Sequence, residues 1–390
     1  MKLIGKKINL VNNTISKDNI QNLIEWLNTD PRLTKGEQTV KFENAWSNWQ
    51  GRKYSVFVNS GSSANLAMIY ALMMSGRLRN KKIIVPAVSW VTTVAPIIQL
   101  GLEPIMCDAD EETLGVDINA LRYLITIHKP SVLFIVHVLG FPNKMKEIME
   151  LCQENDIILL EDSCESVGST YDGVKTGNFG LMASFSTYYG HHFSTIEGGL
   201  INTDDEEIYN IILSIRSHGW DRDLPENKQK ELRIKEQVSD FRSLYTFYYP
   251  GFNLRSTDLQ AFLGLEQLKK LDESIEKRNK NYLLYQSLIE NYYWKIKDFS
   301  NTFISNFAYP YITSNKYFNI IIKKLIENNI EIRPLVCGSI AEQPFWKKLN
   351  YTKTITPWAS IIHNQGLYLP NNPDIEKNEI EFICNIINNS

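Results

Sequence analysis

Residues Ser186 to Gly199 read STYYGHHFSTIEGG, with adjacent histidines His191 and His192 just ahead of Glu197-Gly198-Gly199. A free imidazole titrates near 6.5, so a positioned histidine can take or give a proton close to neutral pH. Three other short stretches carry chemistry that fits beside a base. Asn59-Ser60-Gly61-Ser62-Ser63 follows one apolar run and opens a helical pattern. There Gly61 frees the backbone, Ser62 adds a hydroxyl, and a helix N-terminus favours a phosphate. An ordinary serine N-cap would look the same. Trp90 follows a second apolar run, where an indole either stacks on a flat ring or packs into a core. Asp162 closes a third run, in LLEDSCES, and a buried carboxylate is costly unless paired. It could hold a protonated heterocyclic nitrogen or cap a helix. Ser186 ends a fourth run and adds a second hydroxyl, five residues before His191.

Phosphate, ring and base chemistry thus fall at the ends of apolar runs. A doubly wound sheet uses that placement, because its ligands bind outside the C-terminal ends of the strands. KYSVFV, KKIIVP, EPIMCD, SVLFIVHV and DIILLED alternate with helical stretches such as SSANLAMIYALMMSG and KMKEIMELCQEN. This alternation predicts an α/β fold with a mostly parallel central sheet covered by helices on both faces. LMASFST and GGLINTD read as further strands of that sheet. From about Arg255 the pattern changes. STDLQAFLGLEQLKKLDESIEKRNKNYLLYQSLIEN reads as one long helix, FISNFAYPYI as a strand, and two more helices follow. The expected division is an N-terminal arm with a large domain over residues 1–260, and a smaller α+β C-terminal domain over residues 261–390. The charged stretch after Trp220, DRDLPENKQKELRIKEQVSDF, reads as a loop.

The bulk numbers exclude several function classes. A net charge of -3 with dispersed basic residues gives no nucleic-acid footprint. The five cysteines are widely spaced and form no CxxC pair, so no metal or iron–sulfur signature is present and reduced thiols are expected. The first residues lack the apolar core of a signal peptide, and the most apolar windows stop short of a membrane span. A cytoplasmic protein without membrane partners is the expectation.

Four motifs, in order and at matching spacing, carry a resemblance over nearly the whole chain. NSGSSANLAM, LLEDSCESVGS, SFSTYYGHHFSTIEGGLINTDD and YPGFNLRSTDLQAFLGLEQL resemble the sugar aminotransferase-like (DegT/DnrJ/StrS) group of fold-type I pyridoxal-phosphate enzymes, which act on nucleotide-linked keto-sugars. In that group a lysine stands six residues before the EGG glutamate and forms the Schiff base with the cofactor. Here that position is His191, and the preceding lysine is Lys175, on the wrong side of a strand to substitute. The departure resembles the 3-dehydratases of deoxysugar biosynthesis, in which histidine replaces the lysine. A lysine both tethers the cofactor and moves a proton, whereas a histidine does only the second. A related dehydratase type acts on CDP- or TDP-linked sugars and carries an iron–sulfur cluster. Only Cys337 and Cys384 lie beyond Cys164, which speaks against that type.

The resemblance implies roles residue by residue. The cofactor would be pyridoxal 5'-phosphate, cycling with pyridoxamine 5'-phosphate and not held by a lysine Schiff base. His191 would be the base, with His192 packing behind it. Asp162 would pair with the ring nitrogen, and Glu165 would lie near the 3-hydroxyl. Gly61, Ser62 and Ser186 would bind the phosphate, and Trp90 would stack on the ring. Asn253 would reach the phosphate of the neighbouring subunit's cofactor, which makes a homodimer with shared active sites. Tyr188, Arg255, Glu331 and Arg333 are substrate candidates. Arg255 could equally brace its loop, and Glu331 and Arg333 could be strand-edge charges. The implied reaction removes the C3 hydroxyl of a nucleotide-linked 4-keto-6-deoxy sugar, GDP-linked first, with L-glutamate as amino donor and a role in O-antigen-type deoxysugar synthesis. An aminosugar-forming relative, a CDP- or TDP-sugar enzyme and a non-catalytic sugar-nucleotide binder are the competing readings.

Overall fold

Runs of aliphatic and β-branched residues bounded by turns form the strands, because such side chains pack well on a pleated surface. In the computed structural model, which describes residues 6–290, 292–294, 301–351 and 355–390, these are β1 (Tyr54–Val58), β2 (Lys82–Pro86), β3 (Glu103–Cys107), β4 (Val132–Val136), β5 (Ile158–Asp162), β6 (Thr170–Tyr171), β7 (Val174–Lys175), β8 (Met182–Ser186), β9 (Gly199–Thr203), β10 (Thr302–Phe303), β11 (Tyr309–Ile312), β12 (Arg333–Pro334) and β13 (Gly366–Leu369). Seven of them make one sheet in the order β1-β9-β8-β5-β4-β2-β3. All its pairings are parallel except those of β9, which runs against both β8 and β1. The expected α/β architecture is therefore the observed one.

Side-chain alternation sorts the core onto two faces. Ile83, Val85 and Phe134 pack with Ala67, Met68 and Ile212 on one face. Ile84, Leu133 and Ile135 pack with Leu121, Ile125 and Ile148 on the other. The antiparallel sheet β11-β13-β12 anchors a separate cluster with Tyr282, Tyr285, Leu325, Ile380 and Ile383. An N-terminal arm reaches this second sheet, where Ile8 bridges Ile330 in parallel.

Three sequence expectations are corrected. The long helix from Ser256 is two helices, Asp258–Leu268 and Leu271–Leu288, broken at Lys269-Lys270. The first buries Ala261 and Gly264 against the helix Glu37–Gln50, so closely that a Cβ on Gly264 would lie 2.6 Å from the Phe42 ring. The second buries Tyr282 and Tyr285 in the other cluster, and one straight helix cannot serve both cores. FISNFAYPYI is interrupted, since β10 and β11 are separated by residues that turn toward the large sheet. The charged stretch after Trp220 contains a helix, Glu226–Lys235, with no buried residue. Among the described residues, no helix is long and apolar enough to cross a membrane.

Candidate active site

The helix Gly61–Met74 begins directly after β1. Its N-cap is Ser60, whose hydroxyl accepts the Ser63 amide at 3.0 Å. Among the described residues, the Gly61 and Ser62 amides have no partner, and the Ser62 side chain is exposed. Two free N–H groups at the positive end of a helix suit a phosphate. The two glycines at this corner are steric requirements. A Cβ on Gly61 would lie 2.7 Å from the Ser186 Cβ, and one on Gly199 would lie 2.3 Å from the Ser60 carbonyl oxygen. The end of β8 and the start of β9 can therefore approach the helix start, and Ser186 arrives beside it.

Asp162 closes β5 and is 4% exposed. Its Oδ2 accepts from Asn65 Nδ2 at 2.8 Å and Thr93 Oγ1 at 2.9 Å, and its Oδ1 from the Cys164 amide at 3.2 Å. No helix follows it, so the helix-cap alternative falls away. Three donors hold the buried carboxylate in one orientation. Glu165 lies one turn on, and its Oε2 accepts the Leu139 amide at 2.7 Å. Leu139 holds a left-handed backbone (φ 52), a costly conformation for leucine that aims this amide at the carboxylate. Burial pushes the Glu165 carboxyl up to about 7, against the Leu139 bond, with the Asp162 charge adding to the rise.

His191 sits on the connection between the antiparallel neighbours β8 and β9. The Thr187 amide donates to the Gly198 carbonyl and the Thr195 amide to the Thr187 carbonyl, which pin both ends of this loop. His191 Nδ1 lies 2.9 Å from the Cys164 carbonyl oxygen. A carbonyl only accepts, so the proton is on Nδ1 and the Nε2 lone pair is the free base. His192 is 1% exposed, and its Nε2 donates to the Ser305 carbonyl at 3.1 Å. Burial pushes His191 down to about 4, while the Cys164 carbonyl and Asp162 oppose and Arg278 assists. Burial also lowers His192 well below 6.5, with Arg278 adding to it.

These directions have a stability consequence. Between pH 6.5 and about 4, imidazoles of the unfolded chain bind protons that the folded His191 does not. Stability therefore rises with pH through that window and is lost as the pH falls. We expect the denaturation midpoint of the cofactor-free protein to drop from pH 6.5 to 4. His191→Asn, which cannot titrate there, should show a shallower drop; an identical pH dependence would contradict this placement.

The remaining candidates divide into groups. Trp90 stands at the mouth of β2 and is 55% exposed, which removes the core-packing alternative and leaves a ring face free to stack. Tyr188 is on the His191 loop, with ring centroids 6.5 Å apart. Asn253 and Arg255 lie on an extended segment beside the end of β1, where they bridge Ser217 and Val58. Arg255 donates to Asn253 Oδ1 at 3.0 Å, and neither residue bonds to the phosphate corner. Glu331 and Arg333 pair with each other at 2.6 Å, and Glu331 also accepts the Leu10 amide at 3.2 Å. They sit with the N-terminal arm, where Arg333 pairs with Tyr368 of β13. Lys175 lies in the β6–β7 hairpin, 3.7 Å from the Trp49 ring centroid and bonded to the Trp49 carbonyl.

Sequence reasoning missed the residues that orient this cluster. Asn65 and Thr93 carry a helical signal only, yet both bond Asp162. Phe307 donates its amide to the Leu139 carbonyl and lays its ring 5.2 Å from that of His191. Tyr368 on β13 pairs with Arg333 of β12, and burial pushes its hydroxyl up to about 12 with the Glu165 charge adding to the rise, so it stands between the two groups of candidates.

Comparisons with known proteins agree with this geometry. The DegT/DnrJ/EryC1/StrS aminotransferase family pattern matches residues 13–388. GDP-4-keto-6-deoxy-D-mannose 3-dehydratase of Escherichia coli O55:H7 is 39% identical, covering 91% of this chain and 93% of its own. The enzyme of the same name from Yersinia pseudotuberculosis is 36% identical, covering 94% of each chain. A crystal structure of GDP-4-keto-6-deoxymannose-3-dehydratase with a trapped PLP-glutamate geminal diamine superposes with a TM-score of 0.89 at 34% identity, over 97% of this chain and all of the other. With a family match along almost its entire length, this chain belongs to the DegT/DnrJ/EryC1/StrS aminotransferase family.

Proposed function

We propose that this protein is a pyridoxal-phosphate-dependent 3-dehydratase of a GDP-linked 4-keto-6-deoxy sugar, with GDP-4-keto-6-deoxy-D-mannose as substrate. The observation that carries the reading is a histidine, His191, in the position of the family lysine, its Nδ1–H bound to the Cys164 carbonyl and its Nε2 free to act as base. The 3-dehydratases above are the relatives that support the substrate assignment.

The residues present fit the cofactor. The unpartnered Gly61 and Ser62 amides, with the Ser62 and Ser186 hydroxyls, would hold its phosphate. The fixed carboxylate of Asp162 would face the ring nitrogen, Glu165 the 3-hydroxyl, and the exposed indole of Trp90 the ring face. When bound, pyridoxal phosphate supplies an electron sink beside the reacting sugar carbons. Asp162 keeps the ring nitrogen protonated and so deepens that sink. His191 Nε2 accepts and returns the proton whose movement accompanies loss of the C3 hydroxyl. Having no lysine at this position, the chain retains the cofactor through phosphate, stacking and carboxylate contacts alone. L-glutamate is the proposed amino donor. Asn253 reaches the cofactor phosphate across a homodimer, and Tyr188, Arg255, Glu331 and Arg333 face the sugar nucleotide. The cofactor-binding lobe would run through the helix Asp258–Leu268, which packs on the helix Glu37–Gln50, and the smaller lobe would begin past the break at Lys269-Lys270.

The test mixes protein, pyridoxal phosphate, glutamate and GDP-4-keto-6-deoxymannose, then follows ammonia and sugar mass. Ammonia with a sugar lacking the C3 oxygen is expected. A GDP-linked aminosugar as the product would overturn the dehydratase reading.

A further inference from the structure

The helix Leu271–Leu288 carries a buried cation next to the imidazole pair. Arg278 is 2% exposed, and among the described residues it makes no ion pair with a carboxylate. Its Nη1 donates to three carbonyl oxygens instead, those of Asn371 at 2.7 Å, Phe307 at 2.8 Å and Asn306 at 3.5 Å. Burying a charge against neutral carbonyls alone is costly, so the charge needs a reason beyond tying backbone together. The segment it ties supplies one. Phe307 stacks obliquely on His191 and His192, with centroids at 5.2 and 6.2 Å, and the Ser305 carbonyl accepts from His192. Arg278, His191 and His192 also line one cleft of about 290 Å³.

We propose that Arg278 is a positioning residue for His191: it clamps the Ser305–Phe307 segment, and with it the Phe307 ring, against the imidazole pair. The inference rests on the reading of His191 as the base. Other charged and titratable groups surround the imidazole. Asp162, from the end of β5, favours the protonated form. Tyr188 and His192 come from the same loop. In the shared cleft Lys277 pairs with Glu273, and Glu266 with Lys269; Lys270 and Asp374 complete its rim. Arg278 is the buried cation among them, and Asp374 is the carboxylate whose charge acts on it.

The test replaces Arg278 and reads the His191 proton directly. The C2–H resonance of His191 is assigned by its loss in His191→Asn and titrated by NMR in cofactor-free protein; kcat and KM are then measured with cofactor. In Arg278→Met the His191 midpoint should rise by less than about one pH unit, because burial is the main cause of its depression. Its kcat at pH 7 should fall about tenfold, with KM for the sugar changed by less than about twofold. Arg278→Lys keeps the charge and loses the clamp, so its midpoint should stay within about 0.3 unit while kcat falls about threefold. A folded Arg278→Met with wild-type kcat would overturn the proposal. So would Arg278→Lys with wild-type kcat, which decides the matter if Arg278→Met does not fold. Full turnover in His191→Asn would instead sink the underlying assignment of the base.

Discussion

In His191→Asn, turnover of the GDP-linked keto-sugar should fall by about 10² to 10⁴, the usual contribution of a positioned base. The fold and the cofactor should be retained. Asparagine has an N–H that can still donate to the Cys164 carbonyl, and the loop ends are pinned by backbone bonds that the substitution does not touch. What disappears is the basic nitrogen. Single-turnover measurements separate the two halves of the reaction: conversion of the cofactor by glutamate, and loss of the C3 hydroxyl from the sugar. Both should slow, because both move a proton at the same place. If more than about a tenth of wild-type turnover survives, the base is another group. Glu165, with its carboxyl pushed up to about 7, is then the first to examine.

Arg216→Met should lower stability by about 3–5 kcal/mol, the cost of breaking a buried ion pair from one side. Arg216 is 1% exposed and bonds Glu43, Asp223 and the Phe57 carbonyl. Glu43 also accepts the Phe57 amide at 2.8 Å, so it stays in place when Arg216 is lost and is stranded as a buried carboxylate without its cation. Lys35 still pairs with Asp223 at 2.9 Å, which softens the loss on that side only. Denaturant unfolding with and without pyridoxal phosphate is the measurement. The effect should reach the site as well, because the Arg216 carbonyl accepts the Leu254 amide and Ser217 bridges Asn253. A variant of wild-type stability would mean that the network contributes little.

Elements whose pattern is local were legible in the sequence. The alternation of apolar runs and amphipathic helices marks the central sheet because each strand is buried on both faces. The placement of Gly61, Asp162, Ser186 and His191 at strand ends followed from the same pattern. What was not legible depends on contacts between distant segments. The break at Lys269-Lys270 arises because two cores claim one apparently continuous helical pattern. Which serine of this corner caps the helix, Ser60 as it turns out, was open in the sequence because an N-cap is set by the chain's entering angle, which residue types alone do not give. Phe307 and Arg278 carry no motif; they matter because β10 and β11 part to let Ser305–Phe307 meet the histidines. Tyr368 is equally silent in sequence, as its role depends on two sheets meeting.

The N-terminal arm has a consequence for biosynthesis. Leu10 donates its amide to Glu331, 321 residues later, and Asn12 bonds Asn372, 360 residues later. On a ribosome adding about 5–20 residues per second, the wait for the first of these partners is on the order of 16–64 s. Throughout that interval the arm has no sheet to join, while the central strands are already available. Ile8 and Leu10 are apolar and become buried only when the last third of the chain arrives. The arm can thus dock only late in synthesis, and a nascent chain stalled before Glu331 would leave it unpartnered and open to capture by another strand edge.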